Sequence, residues 1–310
     1  MTIPPVCVGI DVSKTHLDIF DPRDGYRRID NADAALAAFA KTQRERESFI
    51  VFEATGNYDR ALRRALEGAL VPHARVNPQQ ARDFAKATGR RAKTDAIDAR
   101  MLAELGRALS PKPSPQSDLA RERLALKHKR RDQLVAMRQQ EAVRHSECGD
   151  EETASHIARH LAWLDAEIAA LDIAIREAID AEPTLRLAER RLRSVPGVGP
   201  VAAATLLALM PELGTRSPKA IAALAGLAPF NNDSGARRGQ RAIKGGRARV
   251  RKALYMAALS AARTKSRLGD FAQNLRAKGK PPKLVLIALA RKILVILNAL
   301  CRQNQSFAQP

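Results

Sequence analysis

Val6-Cys7-Val8-Gly9-Ile10-Asp11 is the first clear pattern of the chain, an apolar run that ends in an aspartate. A second apolar run, Phe49–Phe52, is followed by Glu53 in the same way. Both runs are predicted to be buried strands, and an acidic side chain that follows a buried strand is unfavourable unless a partner compensates its charge. The two carboxylates are therefore expected to share a partner.

Two further aspartates, Asp95 and Asp98, lie three residues apart. On a helix this spacing places both side chains on one face, where they can share a metal ion. Charge placement at a helix N-terminus would produce the same pair, with an effect of about 0.3–1 kcal/mol. Four carboxylates that can converge favour a divalent metal that acts on a phosphodiester, because carboxylate and phosphate oxygens are the ligands that Mg²⁺ prefers.

The charge of the chain indicates a polyanionic partner. Among 310 residues, 53 Lys and Arg stand against 33 Asp and Glu, so the formal net charge is +20. Such a field favours DNA, RNA or an anionic membrane. A membrane is disfavoured because the most apolar segment, 284–300, carries Arg291 and Lys292 at its centre. The three cysteines lack the spacing of metal ligands, which argues against zinc and for the reducing cytoplasm.

Residues 1–110 are predicted to form an α/β domain. Alternating patterns separated by turn residues predict a meander of three antiparallel strands at Val6–Asp11, Leu17–Phe20 and Tyr26–Ile29. Asp33 is expected to cap a helix. The elements expected after it are a strand at Phe49–Phe52, a helix near Asp59–Leu70, a strand around Ala74–Val76 and a helix that begins at Pro78. This order of elements is that of the ribonuclease-H-like fold.

Residues 111–117 contain three prolines and are predicted to be a linker. Residues 118–183 predict a helical hairpin that breaks near His145–Gly149. The second arm carries apolar residues at nearly heptad spacing, which is typical of a coiled coil; they are Leu161, Leu164, Ile168, Leu171, Ile175 and Ile179. The first arm is mainly basic and the second mainly acidic. The hairpin is therefore either a charge-complementary pair alone or also a dimerisation arm that touches nucleic acid.

Residues 184–310 are predicted to form a mainly α-helical C-terminal domain. The segment Ser194–Pro200 has the form of a helix-hairpin-helix turn, in which Gly197 and Gly199 would let backbone N–H groups approach a phosphate. The alternative is a plain Pro/Gly turn between packed helices.

The stretch from Ala236 to Lys252 holds eight Arg or Lys among 17 residues and no acidic residue. Ser234 lies just before it, so a hydroxyl stands beside guanidinium groups that could bind phosphate and offset the charge of phosphoryl transfer. Spacing alone favours a solvated loop that positions phosphate over a nucleophilic serine. The side chains predicted to bind nucleic acid are Lys93, Arg237, Arg238, Arg241, Lys244, Arg247 and Arg251.

Several of these segments recur together in one known family. They are Gly9–Lys14, Phe52–Tyr58, Val76–Pro78, Lys93–Arg100, Val195–Gly199, Gly226–Pro229, Asp233–Gly235 and Arg247–Ala258. In these segments and in their order the chain resembles the DEDD transposases of the "one-ten" insertion-sequence family (IS-one-ten), above all the "eleven-eleven" branch. The resemblance covers nearly the whole chain.

The resemblance implies a RuvC-like N-terminal domain whose tetrad, Asp11, Glu53, Asp95 and Asp98, binds Mg²⁺. It implies that Ser234 attacks the DNA phosphate and forms a covalent phosphoserine link, as in an RNA-guided serine recombinase. It further implies a structured noncoding guide RNA from the element, target and donor DNA as partners, and a homo-oligomer, dimer or tetramer, whose active sites are shared between subunits.

The expected function is thus that of a nucleoid-associated bacterial transposase that cleaves, exchanges and rejoins DNA strands. Two alternatives remain open. A nuclease like the Holliday-junction resolvases would use the tetrad with water and leave Ser234 idle. A non-enzymatic nucleic-acid-binding protein would need only the basic surface.

Overall fold

The structure is a computed structural model that describes residues 6–54, 56, 58–89, 95–116, 118–230 and 242–307. The chain divides into two compact units, and the boundary falls between residues 117 and 118. The first unit is a mixed α/β unit and the second is almost entirely helical.

Five strands in the described part of the first unit form one mixed sheet. They are β1 (Cys7–Val12), β2 (His16–Asp21), β3 (Gly25–Asp30), β4 (Phe49–Glu53) and β5 (His73–Val76). Their order in the sheet is β3-β2-β1-β4-β5. The first three strands pair antiparallel, whereas β1, β4 and β5 run parallel. The predicted meander and the two later strands are thereby confirmed, with boundaries shifted by one residue.

Helices cover both faces of this sheet. They are α1 (Asp33–Glu45), α2 (Arg60–Gly68), α3 (Pro78–Ala87) and α4 (Asp95–Leu109). Val8, Ile10 and Val12 alternate along β1 and belong to the core under α1 and α2. Because successive side chains of a strand point to opposite faces, Gly9 and Asp11 face the other layer, which contains α3 and α4.

Asp33 was expected to cap α1, and this expectation is wrong. Extended backbone continues to Ala32, at φ −127° and ψ 146°, so Ala32 occupies the cap position and makes no side-chain cap. Asp33 is the first helical residue instead, where its charge still favours the positive end of the helix dipole. Pro78 begins α3 as predicted, and the Asn77 side chain caps that helix by accepting from the Gln79 N–H at 2.8 Å.

The described residues of the proline-rich segment, 111–116, form no helix or strand. They are nevertheless tied to the edge of the sheet through Ser114. Its backbone N–H donates to the His73 carbonyl at 2.7 Å, and its hydroxyl accepts from the Arg75 N–H at 2.9 Å. The segment therefore continues the hydrogen bonding of β5.

The second unit begins with a helical hairpin. Its arms are α5 (Leu119–Glu147) and α6 (Glu151–Asp180), so the predicted break near residue 149 is confirmed. Arg131 pairs with Asp172 and Arg138 pairs with Asp165. The partners follow in opposite order along the two arms, which therefore run antiparallel with complementary charges.

The remaining elements of the second unit follow the hairpin, and their helices share one apolar core with Leu124, Ile175 and Ile179 of the hairpin. They are α7 (Pro183–Arg193), α8 (Pro200–Leu209), α9 (Pro218–Leu224), the short strands β6 (Pro229–Phe230) and β7 (Ala242–Ile243), α10 (Ala248–Ala261), α11 (Arg267–Ala277) and α12 (Pro282–Gln303). By length and composition alone α12 could cross a membrane. Its residues Val285, Leu289, Ile293 and Leu297 are fully buried in this core, as in the central helix of a globular unit.

Candidate active site

Asp11 and Glu53 lie at the same edge of the first unit's sheet. β1 and β4 are parallel neighbours, and Ile10 is in register with Phe52. Each carboxylate is the next residue along its strand, so the two side chains follow at the carboxyl ends of adjacent parallel strands. The alternation of the buried residues places both on the face that α3 and α4 cover.

Helix α4 carries Asp95 and Asp98 in its first turn. It packs directly on the backbone of β1, because Gly9 has no side chain to hold it away. A Cβ on Gly9 would overlap the carbonyl oxygen of Ala99 and the amide nitrogen of Ala103. Gly106 makes a second close approach, since a Cβ there would lie 2.7 Å from Cγ2 of Val51. The two glycines therefore fix where the first turn of α4 meets the end of β1.

The carboxylates brought together in this way repel one another. The pKa of Asp11 is raised to about 6, mainly by burial and then by the negative charges of Asp98, Asp95 and Asp18, in that order. A hydrogen bond from the Val12 N–H acts in the opposite direction. An aspartate this close to other carboxylates carries its charge at neutral pH at the expense of stability. A bound cation would remove that penalty, and four carboxylates are a donor set that suits a hard divalent cation.

Sequence reasoning missed Asp18, which lies directly opposite Asp11 in the β1–β2 register. The residue is only 1% exposed. Burial alone would raise its pKa, but hydrogen bonds from Arg28 and Tyr26 and the charge of Arg28 hold the pKa of Asp18 below its usual value. The available signal was an acidic residue at an inward position of the apolar run Leu17–Phe20.

Arg28 places a positive charge beside these carboxylates. It is the partner of Asp18 in the β2–β3 register, and its Nε and Nη2 donate to the two Asp18 oxygens at 2.9 and 3.1 Å. Nη2 also donates to Oδ2 of Asp95 at 3.2 Å. The ligand atoms of His16, Asp18 and Asp95 lie within 4.8 Å of one another, but the guanidinium already binds two of these three residues.

Several predicted site residues fall outside the described residues. They are Lys93, Ser234, Arg237, Arg238 and Arg241. For these positions the predictions made from the sequence stand as they were.

The two glycines of the segment Ser194–Pro200 differ in their surroundings. Gly197 has a positive φ of +86°, and a Cβ there would overlap the Ala257 carbonyl oxygen and lie 2.7 Å from the Cβ of Ala261. Its missing side chain thus lets the turn pack against α10. Gly199 is exposed, precedes the first residue of α8, and has open space where a Cβ would be. Of the two, Gly199 is the one at which the N-terminus of α8 is accessible to a phosphate.

The described basic residues near α10 also differ. Arg247 donates to both oxygens of Glu212 at 2.6 Å and to the Leu209 carbonyl at 2.8 Å. Arg251 donates to the Gly245 carbonyl at 2.7 Å. Lys244, by contrast, is exposed. Part of the charge that the sequence offers to nucleic acid is therefore used to hold the second unit together.

Comparison with known families gives two matches, one to each half of the chain. The DEDD transposase model of IS110, described as "Transposase", matches residues 8–148. The model described as "Transposase IS116/IS110/IS902 family" matches residues 189–273. The first match contains the four carboxylates and the hairpin's first arm, and the second contains the Gly197 turn and the basic stretch.

Similar proteins agree with these matches. The chain is 32% identical to the pilin gene-inverting protein of Moraxella lacunata over 270 residues, which are 83% of this chain and 81% of that protein. The protein of the same name from Moraxella bovis shows the same identity and coverage. The chain is also 32% identical, over 44% of its length and 33% of the relative, to the insertion element IS110 uncharacterized 43.6 kDa protein of Streptomyces coelicolor. The chain is thus a DNA recombinase, and it belongs to the IS116/IS110/IS902 family of transposases.

Proposed function

We propose that the chain is the transposase of an insertion sequence that cleaves, exchanges and rejoins DNA strands through a tetrad of carboxylates and a covalent serine intermediate. The tetrad is Asp11, Glu53, Asp95 and Asp98, and the serine is Ser234. The observation that carries the proposal is the convergence of Asp11 with Asp95 and Asp98: burial, together with the charges of these two aspartates, raises the pKa of Asp11 to about 6.

The strand order β3-β2-β1-β4-β5 supports a ribonuclease-H-like, RuvC-like assignment for the first unit. In an open sheet, ligands bind beyond the carboxyl ends of the strands, which is where Asp11 and Glu53 lie. Membership of a DEDD family implies a divalent metal, and we infer that it is Mg²⁺, which suits an all-carboxylate donor set next to a phosphate. When bound, such an ion stabilises negative charge on a phosphodiester.

In the proposed reaction the Ser234 hydroxyl loses its proton and its oxygen bonds to the scissile phosphorus. The phosphorus–oxygen bond to the leaving deoxyribose breaks, and that oxygen departs as a free hydroxyl after it gains a proton. Arg237 and Arg238 lie close to Ser234 in sequence and would hold the phosphate oxygens. Since a phosphodiester is exchanged for a phosphodiester, attack by another strand's hydroxyl can reseal DNA without an energy source.

We infer that the substrates are target and donor DNA held by a homo-oligomer on a structured guide RNA. The net charge of +20 supports nucleic-acid partners, and a role at the bacterial nucleoid follows from DNA as the substrate. Two relatives are named for inverting a pilin gene. Inversion of a segment requires that cut ends be rejoined, which favours a recombinase over a nuclease that uses water.

The experiment is a recombination assay on plasmids that carry donor and target sites, with the element's RNA supplied. Wild-type protein should give joined products. Ser234→Ala should give neither cut nor joined DNA, and Asp98→Asn should behave alike. Asp83→Asn, which removes an exposed charge from α3 of the same unit, and Ser260→Ala, on an exposed position of α10, should keep full activity. If Ser234→Ala still cuts DNA, the protein is a nuclease that uses water.

A further inference from the structure

Asp11, Asp18 and Arg28 form a row across three strands. Asp11 of β1 lies opposite Asp18 of β2, and Asp18 lies opposite Arg28 of β3. Directly opposed residues share a face of the sheet, and like charges so placed are destabilising. The row thus sets two carboxylates side by side on the face that receives α4, with an arginine at its outer end.

Asp18 is held too firmly to act as a freely available ligand. The Tyr26 hydroxyl and the Arg28 Nε both donate to its Oδ1, and Arg28 Nη2 donates to its Oδ2 at 3.1 Å. His16 adds Nε2 at 3.4 Å from Oδ2. A buried carboxylate with this many partners keeps its charge and its orientation. Its role toward Arg28 is that of an anchor.

The anchored arginine reaches beyond Asp18 to the first residue of α4. Its Nη2 lies 3.2 Å from Oδ2 of Asp95, whose side chain is 58% exposed. An aspartate this exposed at a helix start would otherwise sample several rotamers. Arg28 engages Oδ2, so the same carboxylate retains a second oxygen that can bind a cation.

We propose that Arg28, anchored by Asp18, is a positioning residue that orients the Asp95 carboxylate toward the cation of the tetrad. This inference rests on the proposed function, because it takes the tetrad as the cation site. Partners that orient ligating side chains in this way typically change metal affinity 10- to 100-fold when they are removed.

The same geometry argues against a second cation among His16, Asp18 and Asp95. Although their ligand atoms lie within 4.8 Å of one another, the Arg28 guanidinium already binds both carboxylates. A metal ion there would have to displace Arg28 from the buried carboxylate of Asp18. The displaced guanidinium would then be left at the site without a partner for its charge, which is unfavourable. Asp18 therefore serves the tetrad indirectly, through Arg28.

The test is the substitution Arg28→Lys, which keeps the positive charge but removes the planar guanidinium. Arg28→Lys places one ammonium where the guanidinium spans two carboxylates, and the two groups are not equivalent at such a site. Arg27→Lys is the matched control, because Arg27 is on the same strand but lies over the Phe39 ring, on the opposite face. Mn²⁺ binding is titrated calorimetrically into full-length protein without nucleic acid. We expect about 10- to 100-fold weaker binding for Arg28→Lys and wild-type binding for Arg27→Lys.

A second readout needs no metal. Hydrogen exchange of the amides of residues 96–99 should be faster in metal-free Arg28→Lys than in Arg27→Lys, because the contact with the first turn of α4 is lost. If Arg28→Lys does not fold, the charge-neutral pair Asp18→Asn with Arg28→Gln replaces it in both measurements, and the same weakening is expected.

The outcomes separate this inference from the proposed function. If Asp11→Asn loses Mn²⁺ binding while Arg28→Lys binds as tightly as wild type, the tetrad stands and the positioning role of Arg28 is overturned. If Asp11→Asn binds as tightly as wild type, the proposed tetrad fails. In that case the hydrogen exchange of residues 96–99 decides whether Arg28 orients Asp95. If exchange in Arg28→Lys is no faster than in Arg27→Lys, Arg28 does not hold the first turn of α4, and this part of the inference is also wrong.

Discussion

The α-carbon of Gly9 faces the carbonyl oxygen of Ala99 so closely that a Cβ at residue 9 would overlap that oxygen. This single relationship sets how near α4 comes to β1. Because the first turn of α4 carries Asp95 and Asp98, it also sets how near those carboxylates come to Asp11.

Gly9→Ala is therefore expected to destabilise the first unit and to abolish strand cleavage. Overpacking of a close contact typically costs about 1–3 kcal/mol, and the overlap here is with helix backbone, which cannot rotate away. Gly68→Ala is the control, since a Cβ at the end of α2 meets nothing within 4 Å, and it should change the free energy of unfolding by less than about 1 kcal/mol. Thermal unfolding of both variants checks the prediction, and wild-type stability of Gly9→Ala would refute it.

The sequence predicts the sheet well because strand periodicity and turn residues are local signals. It also singles out Asp11, Glu53, Asp95 and Asp98, since acidic residues after apolar runs or at helical spacing stand out. Local sequence patterns could not identify Arg28 as part of the site, because its role depends on the β2–β3 register that places it opposite Asp18.

The sequence also does not predict contacts between segments that are distant along the chain. From the sequence, Arg247 is one more cation of a basic stretch. In the structure it forms a two-point ion pair with Glu212, 35 residues earlier. Gly197 reads as a phosphate-binding glycine, yet α10 occupies the space beside it. In both cases the tertiary partner comes from an element that no local pattern connects with the residue.

The raised pKa of Asp11 predicts a pH dependence of stability in the metal-free protein. The pKa of Asp11 rises from 3.8 to about 6 on folding. Between pH 3.8 and about pH 6, Asp11 therefore holds a proton in the native state that it has released in the unfolded chain. The contribution of Asp11 to the free energy of unfolding therefore falls as pH rises from about 4 to about 6, and it stays low above that range.

We accordingly expect metal-free Asp11→Asn to melt at a higher temperature than wild type at pH 7.5, with the difference shrinking toward pH 4. Added Mg²⁺ should raise the melting temperature of wild type and leave the variant unchanged, because a ligand stabilises only the state that binds it. Melting curves at several pH values provide the measurement. A difference that does not vary with pH would mean that the carboxylates do not repel one another as described.

Lys244 and Arg247 should separate nucleic-acid binding from stability. Lys244→Met removes an exposed charge, so it should reduce the slope of log K against log salt by about 0.9 for one lost duplex phosphate contact and leave the melting temperature unchanged. Arg247→Met breaks the pair with Glu212 and should destabilise the second unit by about 1–3 kcal/mol. If Lys244→Met leaves the salt slope at its wild-type value, Lys244 does not face the nucleic acid.

Mixing two inactive variants tests whether active sites are shared between subunits. If Ser234 of one chain works with the tetrad of another, then Asp11→Asn and Ser234→Ala together will form some assemblies with one intact composite site. We expect partial recovery of strand cleavage in the mixture and none in either protein alone. Mass measurement must show that both chains are present in one assembly. If mixed assemblies show no activity, the shared-site model is rejected. The α5–α6 hairpin would then have only a structural role.

The covalent intermediate is the central claim, and one measurement addresses it directly. Wild-type protein is incubated with substrate DNA and Mg²⁺, denatured, digested with nuclease and protease, and its peptides are analysed by mass spectrometry. The account predicts a nucleotide phosphate attached to Ser234, formed only with the divalent cation present and absent from Asp11→Asn. Cut DNA without any attached peptide, or a nucleotide attached to a different residue, would contradict it.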